Sequence, residues 1–441
     1  MEQSEQKQEC ALPSWFRNKQ LNEGEFCESF MEGRHLIYSG GSFFTEMGRM
    51  ADETPLREEI FHAIKRYAPI GVAHKVNSIV ETLKLICQVK DFAPSDDFIQ
   101  VENGMVYEDG RFVETEAFMP VQSRFPVRYN KDAAHPQRWL DFLHELLDPE
   151  DIITLQEYIG YCFLPTNKAQ RMMIIKGKGG EGKSVIGAVL RDLFGVNAKD
   201  GSITKISENR FARADLEYIH LLIDDDMDME ALRKTNYIKS LVTAHGKMDL
   251  EKKGKQSYQG YVYARFLGFS NGNLQALYDK SDGFYRRQLV LTTLDKKKNR
   301  KDDPCLANKL ITEREGIFLW ALEGLKRLRL NGWRFTESHK SRTARLLAQV
   351  EDNNFIAFLR SQGYIRFDPE YSISSRELYA IYTLWCDENA VAPIKPRSMT
   401  EYLLGHLSDY GLSYDNNCYN SAGRRVRGFK GIDAVIRSRA G

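Results

Sequence analysis

The sequence predicts an α/β protein built on a parallel sheet, and three observations carry that expectation. A short apolar strand from Met172 enters a glycine-rich turn, and an amphipathic helical stretch follows it to Phe194. Apolar strand candidates recur at Ile219–Ile223, Tyr261–Ser270 and Gln288–Thr292, with helical segments between the first two. Alternation of strand and helix indicates parallel pairing, because a parallel crossover needs a long connection that is usually a helix.

A chain of 441 residues accommodates two or three domains of ordinary size. With 42% hydrophobic and 28% charged residues, each can bury a core without disulfides or metal. The net charge of +1 produces no global field, so any nucleic-acid contact needs locally concentrated basic residues. Cys10, Cys27, Cys87, Cys162, Cys305, Cys386 and Cys418 are scattered without CxxC spacing, which disfavours a zinc site or a disulfide framework. The first ten residues are polar and acidic rather than leader-like, and no run of about 18 apolar residues occurs. A cytoplasmic protein without membrane contact is expected.

Residues 1–97 are expected to form a mainly helical region, since Val76, Ile79, Val80, Leu83 and Ile86 fall on one helical stripe. Residues 98–165 begin with a strand meander. Asn103-Gly104 and Asp109-Gly110 mark its two hairpin turns, both dipeptides adopting positive φ cheaply. Helical stretches follow at Pro136–Leu147 and Asp151–Phe163. The α/β core occupies 166–335 and ends in a helical stretch to about Leu330. The segment 345–441 carries helix candidates at Ser374–Cys386 and Ser398–Tyr410, then a basic, strand-rich end.

The decisive text is GKGGEGKS at residues 177–184, which satisfies GxxxxGK[ST] after a strand and at the opening of a helix. Gly177, Gly179, Gly180 and Gly182, with Glu181 and Val185, supply backbone N–H groups that close around phosphates, helped by the helix N-terminus. Lys183 would reach the β- and γ-phosphates of ATP, and Ser184 would hold Mg²⁺. A chance match of this pattern arises in about one or two chains in a hundred of this length.

Hydrolysis needs acids as well, and the strand ending at Ile223 runs into Asp224, Asp225 and Asp226. Asp224 is assigned to Mg²⁺ and Asp225, ahead of Asp226, to polarising the attacking water. Asn271, at the tip of the strand ending at Ser270, is placed to touch the γ-phosphate and that water. Lys252, Lys253 and Lys255 cluster around Gly254 in what reads as a hairpin with a basic tip, suited to gripping a phosphate backbone. In isolation the segment reads as a solvated loop, with Asp249 and Glu251 partly cancelling its charge. Arg286 and Arg287 precede the last core strand. An arginine there can cross a subunit boundary to stabilise transition-state charge, Arg287 being favoured and its neighbour serving as an internal ion-pair partner.

In this order the motifs resemble a superfamily 3 helicase, and specifically the helicase half, of the AAA+ class, of phage and plasmid primase-helicase proteins. The likeness extends upstream through residues 101–104, 125–129, 139–142 and 155–161, and downstream through Glu315–Gly324. It implies a hexameric ring with ATP between subunits, hairpin lysines tracking single-stranded DNA, and a winged-helix module at the end of the chain. Ser398–Tyr410 would be the recognition helix, and Arg424, Arg425, Arg427 and Lys430 the wing. Larger relatives carry a primase domain, for which the first 97 residues are too few, so a separate primase is implied. The expected activity is ATP-dependent replicative unwinding of forked DNA for a mobile element. The alternatives are an ATP-regulated origin-binding initiator or loader with little processive unwinding, and a regulatory ATP-binding protein without motor activity.

Overall fold

A computed structural model describes residues 12–90, 92–115, 120–227, 232, 235–254, 256–272, 282–296, 302–352, 354–389, 391–419 and 425–435. Its centre is a five-stranded sheet. The strands are β1 (Met172–Lys176), β2 (Ala198–Asp200), β3 (Leu221–Asp224), β4 (Arg265–Ser270) and β5 (Gln288–Thr292). They lie in the spatial order β2-β3-β4-β1-β5 and all pair in parallel. Burial on both faces explains why β1, β4 and β5 read as continuous apolar runs. Met173, Ile175, Leu221, Ile223 and Leu267 join the core on one face; Met172, Ile174, Leu222 and Phe266 join the core on the other.

Helices α1 (Pro149–Cys162), α2 (Lys183–Phe194) and α3 (Arg314–Leu330) pack on the first of these faces. Ile186, Val189, Leu190 and Leu193 recur at three- and four-residue steps and are all buried, so α2 lies flat on the sheet. Two glycines allow α1 and α3 to touch backbone to backbone. A Cβ on Gly160 would lie 2.2 Å from the Ala321 carbonyl oxygen, and one on Gly324 would lie 2.5 Å from that of Gln156.

The C-terminus of α1 is capped from the sheet. Arg265, the first residue of β4, is 1% exposed, and its guanidinium donates to the carbonyls of Tyr161, Cys162, Leu164, Thr166 and Tyr263. The last carbonyls of a helix have no partner within it, and the negative end of the helix dipole favours a cation there.

The meander appears as expected, with strands Phe98–Val101, Gly104–Tyr107 and Phe112–Glu114 in antiparallel order. The region ahead of it is less helical than expected. Helices Glu23–Met31, Thr54–Ile64 and Val72–Ile86 share a core with the short strands Ile37–Ser39 and Ser42–Thr45, and Gly48–Arg49 pairs with the latter. Strands of two to four residues are too short to show a period in sequence.

Two core strands also differ from expectation. The one expected at Ile219–Ile223 starts only at Leu221, because Tyr218 adopts φ +61° and the His220 N–H turns to the Asn197 carbonyl. The run Tyr261–Ser270 is divided. Tyr258–Tyr261 pairs antiparallel with Lys247–Leu250 as a hairpin, and β4 begins after the corner at 262–264.

Beyond the core, helix His339–Asp352 lies against β5, across the boundary expected at 345. Helices Asn354–Arg360, Ser375–Glu388 and Pro396–Gly405 then accompany a three-stranded antiparallel sheet. Its strands are Ile365–Ser374, Ser413–Tyr419 and, between them, Arg425–Ala434. A capping box of Ser374 and Glu377 starts the second helix. The helix expected at 398–410 is shorter, with Pro396 in its first turn. Among the described residues, no helix is long and apolar enough to cross a membrane.

Candidate functional site

Register places the ends of three strands side by side. Lys176 of β1 pairs with Ser270 of β4 and with Thr292 of β5, so the 177–182 loop, Asn271 and Thr293 leave the sheet at one edge. That edge is the carboxyl end of a parallel sheet, at the seam between β1 and β4, whose onward connections run to opposite sides, to β2 and to β5. Open α/β sheets form their ligand crevices there.

The loop cannot be built from ordinary residues. Gly179, Gly180 and Gly182 have φ of +106°, +79° and +106°. A Cβ on Gly177 would lie 2.3 Å from the Thr293 hydroxyl and 3.0 Å from the Lys183 Nζ. Lys183 opens α2 and is itself 8% exposed. Ser184 is exposed and Val185 half-buried.

Glu181 is the anion this cradle holds. Only 3% exposed, it accepts from the Gly179 N–H at 2.8 Å (Oε1) and 3.0 Å (Oε2), and from Lys183 Nζ at 3.0 Å (Oε2). Burial pushes its carboxyl up, but the bonds from Lys183 and the backbone prevail and hold it below the usual carboxylate range.

Asp224 and Asp225 face opposite sides of the sheet. Asp224 is buried, and its Oδ2 accepts from the Ile203 N–H at 2.7 Å. Asp225 turns toward α2, where it pairs with Arg191, and Arg191 also donates through Nε to Asp200 at 2.7 Å. Asp226 is exposed. Asn271 is exposed just beyond β4, where the Gly272 N–H donates to Ser270 Oγ at 3.0 Å. Arg287, favoured in sequence as the outward-reaching arginine, is half-buried and folds its guanidinium back onto the Gly283 carbonyl, whereas Arg286 is exposed.

The hairpin departs most from expectation. Lys252 does not project from the tip. Its Nζ donates to the Gly40 carbonyl at 3.3 Å, lies 3.5 Å from Glu217 Oε2 and sits over the Tyr258 ring. Glu217 is buried and accepts from the Tyr258 hydroxyl at 2.8 Å; burial raises its pKa. Lys253 and Gly254 remain exposed at the tip, and Lys255 lies outside the described residues. At the other end of the chain, Arg425 and Arg427 are exposed on one side of their strand, and Lys430 pairs with Asp415 at 2.6 Å. Arg424 lies outside the described residues.

Sequence reasoning passed over Glu181's side chain, Arg191 and Thr293. Only Glu181 left a signal, as an acid inside a pattern made to bind anions. The other two are recruited by packing.

A family model described as a family of unknown function (DUF5906) matches residues 175–287, the stretch from the end of β1 to Arg287. Among curated proteins there is no match. The A form apo structure of the NrS-1 C-terminal region aligns with 92% of this chain and 98% of its own, at TM-score 0.48 and 13% identity. A further apo structure of that region aligns with 92% of this chain and 97% of its own, at TM-score 0.48 and 12% identity.

Proposed function

We propose that the protein is an ATP hydrolase of the AAA+ P-loop class that moves along single-stranded DNA and parts forked duplex as a hexamer. The observation that carries this reading is the glycine cradle closed on an anion by Gly179 N–H and Lys183, at the carboxyl edge of a parallel sheet in which Asp224 ends the strand one removed from β1 and Asp225 follows it. Phosphoryl transfer leaves a protein little to do except position groups and neutralise charge, and those are the groups supplied here.

In this reading the cradle and Lys183 hold the β- and γ-phosphates. The Ser184 hydroxyl is a hard oxygen donor of the kind that suits Mg²⁺, which would neutralise phosphate charge when bound; the Asp224 carboxylate, on the opposite face of the sheet, would have to leave the Ile203 N–H to join it. Asp225 orients the attacking water once its pairing with Arg191 loosens, and Asn271 contacts the γ-phosphate. We assign the role of reaching into a neighbouring subunit to Arg286 rather than Arg287, because Arg286 is exposed whereas Arg287 folds back onto the Gly283 carbonyl. DNA is gripped by the hairpin tip through Lys253 and Lys255. The C-terminal unit, a winged helix in this reading, contributes duplex contacts through Arg425 and Arg427.

Strand displacement on a forked duplex with MgATP tests the reading. Wild type unwinds; Lys183→Ala lowers hydrolysis at least about 100-fold. Lys253→Ala/Lys255→Ala retains hydrolysis and loses unwinding. Hydrolysis without displacement on any fork would instead identify an initiator or loader.

A further inference from the structure

Glu181 occupies a position where its charge is out of place. An acid in a phosphate-binding loop repels the ligand, and a glutamate there would be expected to point into solvent. Here its carboxylate is buried, with both oxygens on the Gly179 N–H and one of them on the Lys183 ammonium. These are the two donors that a phosphate in the cradle would use. The lack of a Cβ at Gly177 makes the arrangement feasible, since the Glu181 carboxyl carbon lies 3.1 Å from where that Cβ would be.

We propose that Glu181 is an internal occupant of the phosphate cradle, a positioning residue that the nucleotide must displace and that sets which anions can enter. The inference rests on the nucleotide reading above. The Gly179 amide has a single N–H, which both carboxylate oxygens already take, and a phosphate placed on it would stand directly against the carboxylate's charge, so occupancy is exclusive. While Glu181 is in, the loop stays formed and Lys183 stays oriented. For a ligand to bind, the carboxylate must rotate out past the exposed Gly179–Gly180 rim. Apparent affinity then falls by the fraction of time the cradle is vacated. A small anion that offers one phosphate gains too little to displace the carboxylate, whereas a nucleotide with contacts along its whole length does so.

Calorimetric titration of the full chain with MgATP, and separately with pyrophosphate, tests this in wild type, Glu181→Gln and Glu181→Ala. Glutamine keeps the shape and removes the charge; alanine removes the occupant. Both variants are expected to bind MgATP and pyrophosphate about tenfold more tightly than wild type. Thermal melting checks folding, and if alanine lowers the melting temperature, glutamine decides. A merely structural role predicts weaker or unchanged binding, so affinity within twofold of wild type, or below it, for both ligands overturns the proposal while leaving the nucleotide site intact. If neither wild type nor any folded variant binds MgATP, the nucleotide reading falls and this proposal with it.

Discussion

Replacing Arg265 by methionine removes a cation that holds two structural layers together. The side chain is 1% exposed and donates to five carbonyls, four of them at or just beyond the C-terminus of α1. Its ring contact with Tyr161, 4.8 Å to the centroid, adds a cation–π term. The Tyr161, Cys162 and Leu164 carbonyls keep the Leu164 N–H, His220 and the Thr166 N–H respectively, so the loss falls mainly on Thr166 and Tyr263, at about 1–3 kcal/mol for a buried carbonyl left without a donor. Removing the guanidinium also relieves the desolvation of a buried charge, which offsets part of that sum, and neighbouring losses are not additive. The net expectation is about 3–5 kcal/mol of destabilisation. For a unit the size of the sheet and its helices, that lowers the melting transition by roughly 6–20 °C. Differential scanning calorimetry reads it directly. Arg265→Lys should recover little, because an ammonium has three donors and cannot span the same carbonyls. Melting of Arg265→Met within about 2 °C of wild type would refute the view that this cap holds α1 to β4.

Three further perturbations have defined outcomes. His220 is buried between Ser123 Oγ (2.6 Å) and the Cys162 carbonyl (3.0 Å), and burial, with Arg265 nearby, holds its pKa well below the ordinary 6.5. The unfolded chain therefore takes up a proton that the folded one refuses. This contribution to stability is complete above pH 6.5 and falls as pH drops below it, by up to about 1.4 kcal/mol per unit. Urea midpoints between pH 7.5 and 5.5 should fall more steeply for wild type than for His220→Gln, and parallel slopes would dismiss the assignment. Gly160→Ala forces α1 and α3 apart and should cost about 1–3 kcal/mol, read as a lower urea midpoint with an unchanged slope. If the C-terminal strand binds duplex DNA, Arg425→Ala/Arg427→Ala should reduce the slope of log affinity against log salt by about 2. An unchanged slope would remove these residues from the interface.

The features legible in sequence were those set by local chemistry. Asn103-Gly104 and Asp109-Gly110 fixed the meander to within a residue, and the glycine pattern at 177–182 located both the strand before it and the helix after it. What escaped depends on partners distant in the chain. Strand β2, three residues at the sheet edge with a lysine and an aspartate, has no apolar run to announce it. The corner at 262–264 is apolar like the strands on either side and concealed the break between hairpin and sheet. Lys252 is drawn inward by Glu217 and the Gly40 carbonyl, 35 and 212 positions away, so its charge alone could not say which way it points.

That same contact bears on how the protein can be taken apart. The turn at Gly40 leaves no room for a side chain, since a Cβ there would meet the Tyr218 hydroxyl at 2.5 Å and Glu217 Oε1 at 2.9 Å. The region at 12–90 thus serves, through Gly40, as part of the wall around a buried carboxylate at the root of the hairpin. Deleting that region would not leave the rest of the chain with an undisturbed hairpin. Water would reach Glu217, its pKa would relax toward that of an ordinary glutamate, and Lys252 would lose the Gly40 carbonyl and keep only Glu217 and the Tyr258 ring. A truncated chain that hydrolyses ATP but handles DNA differently would therefore report an altered hairpin as much as a missing module. Point changes at Gly40 or Lys252 separate the two effects.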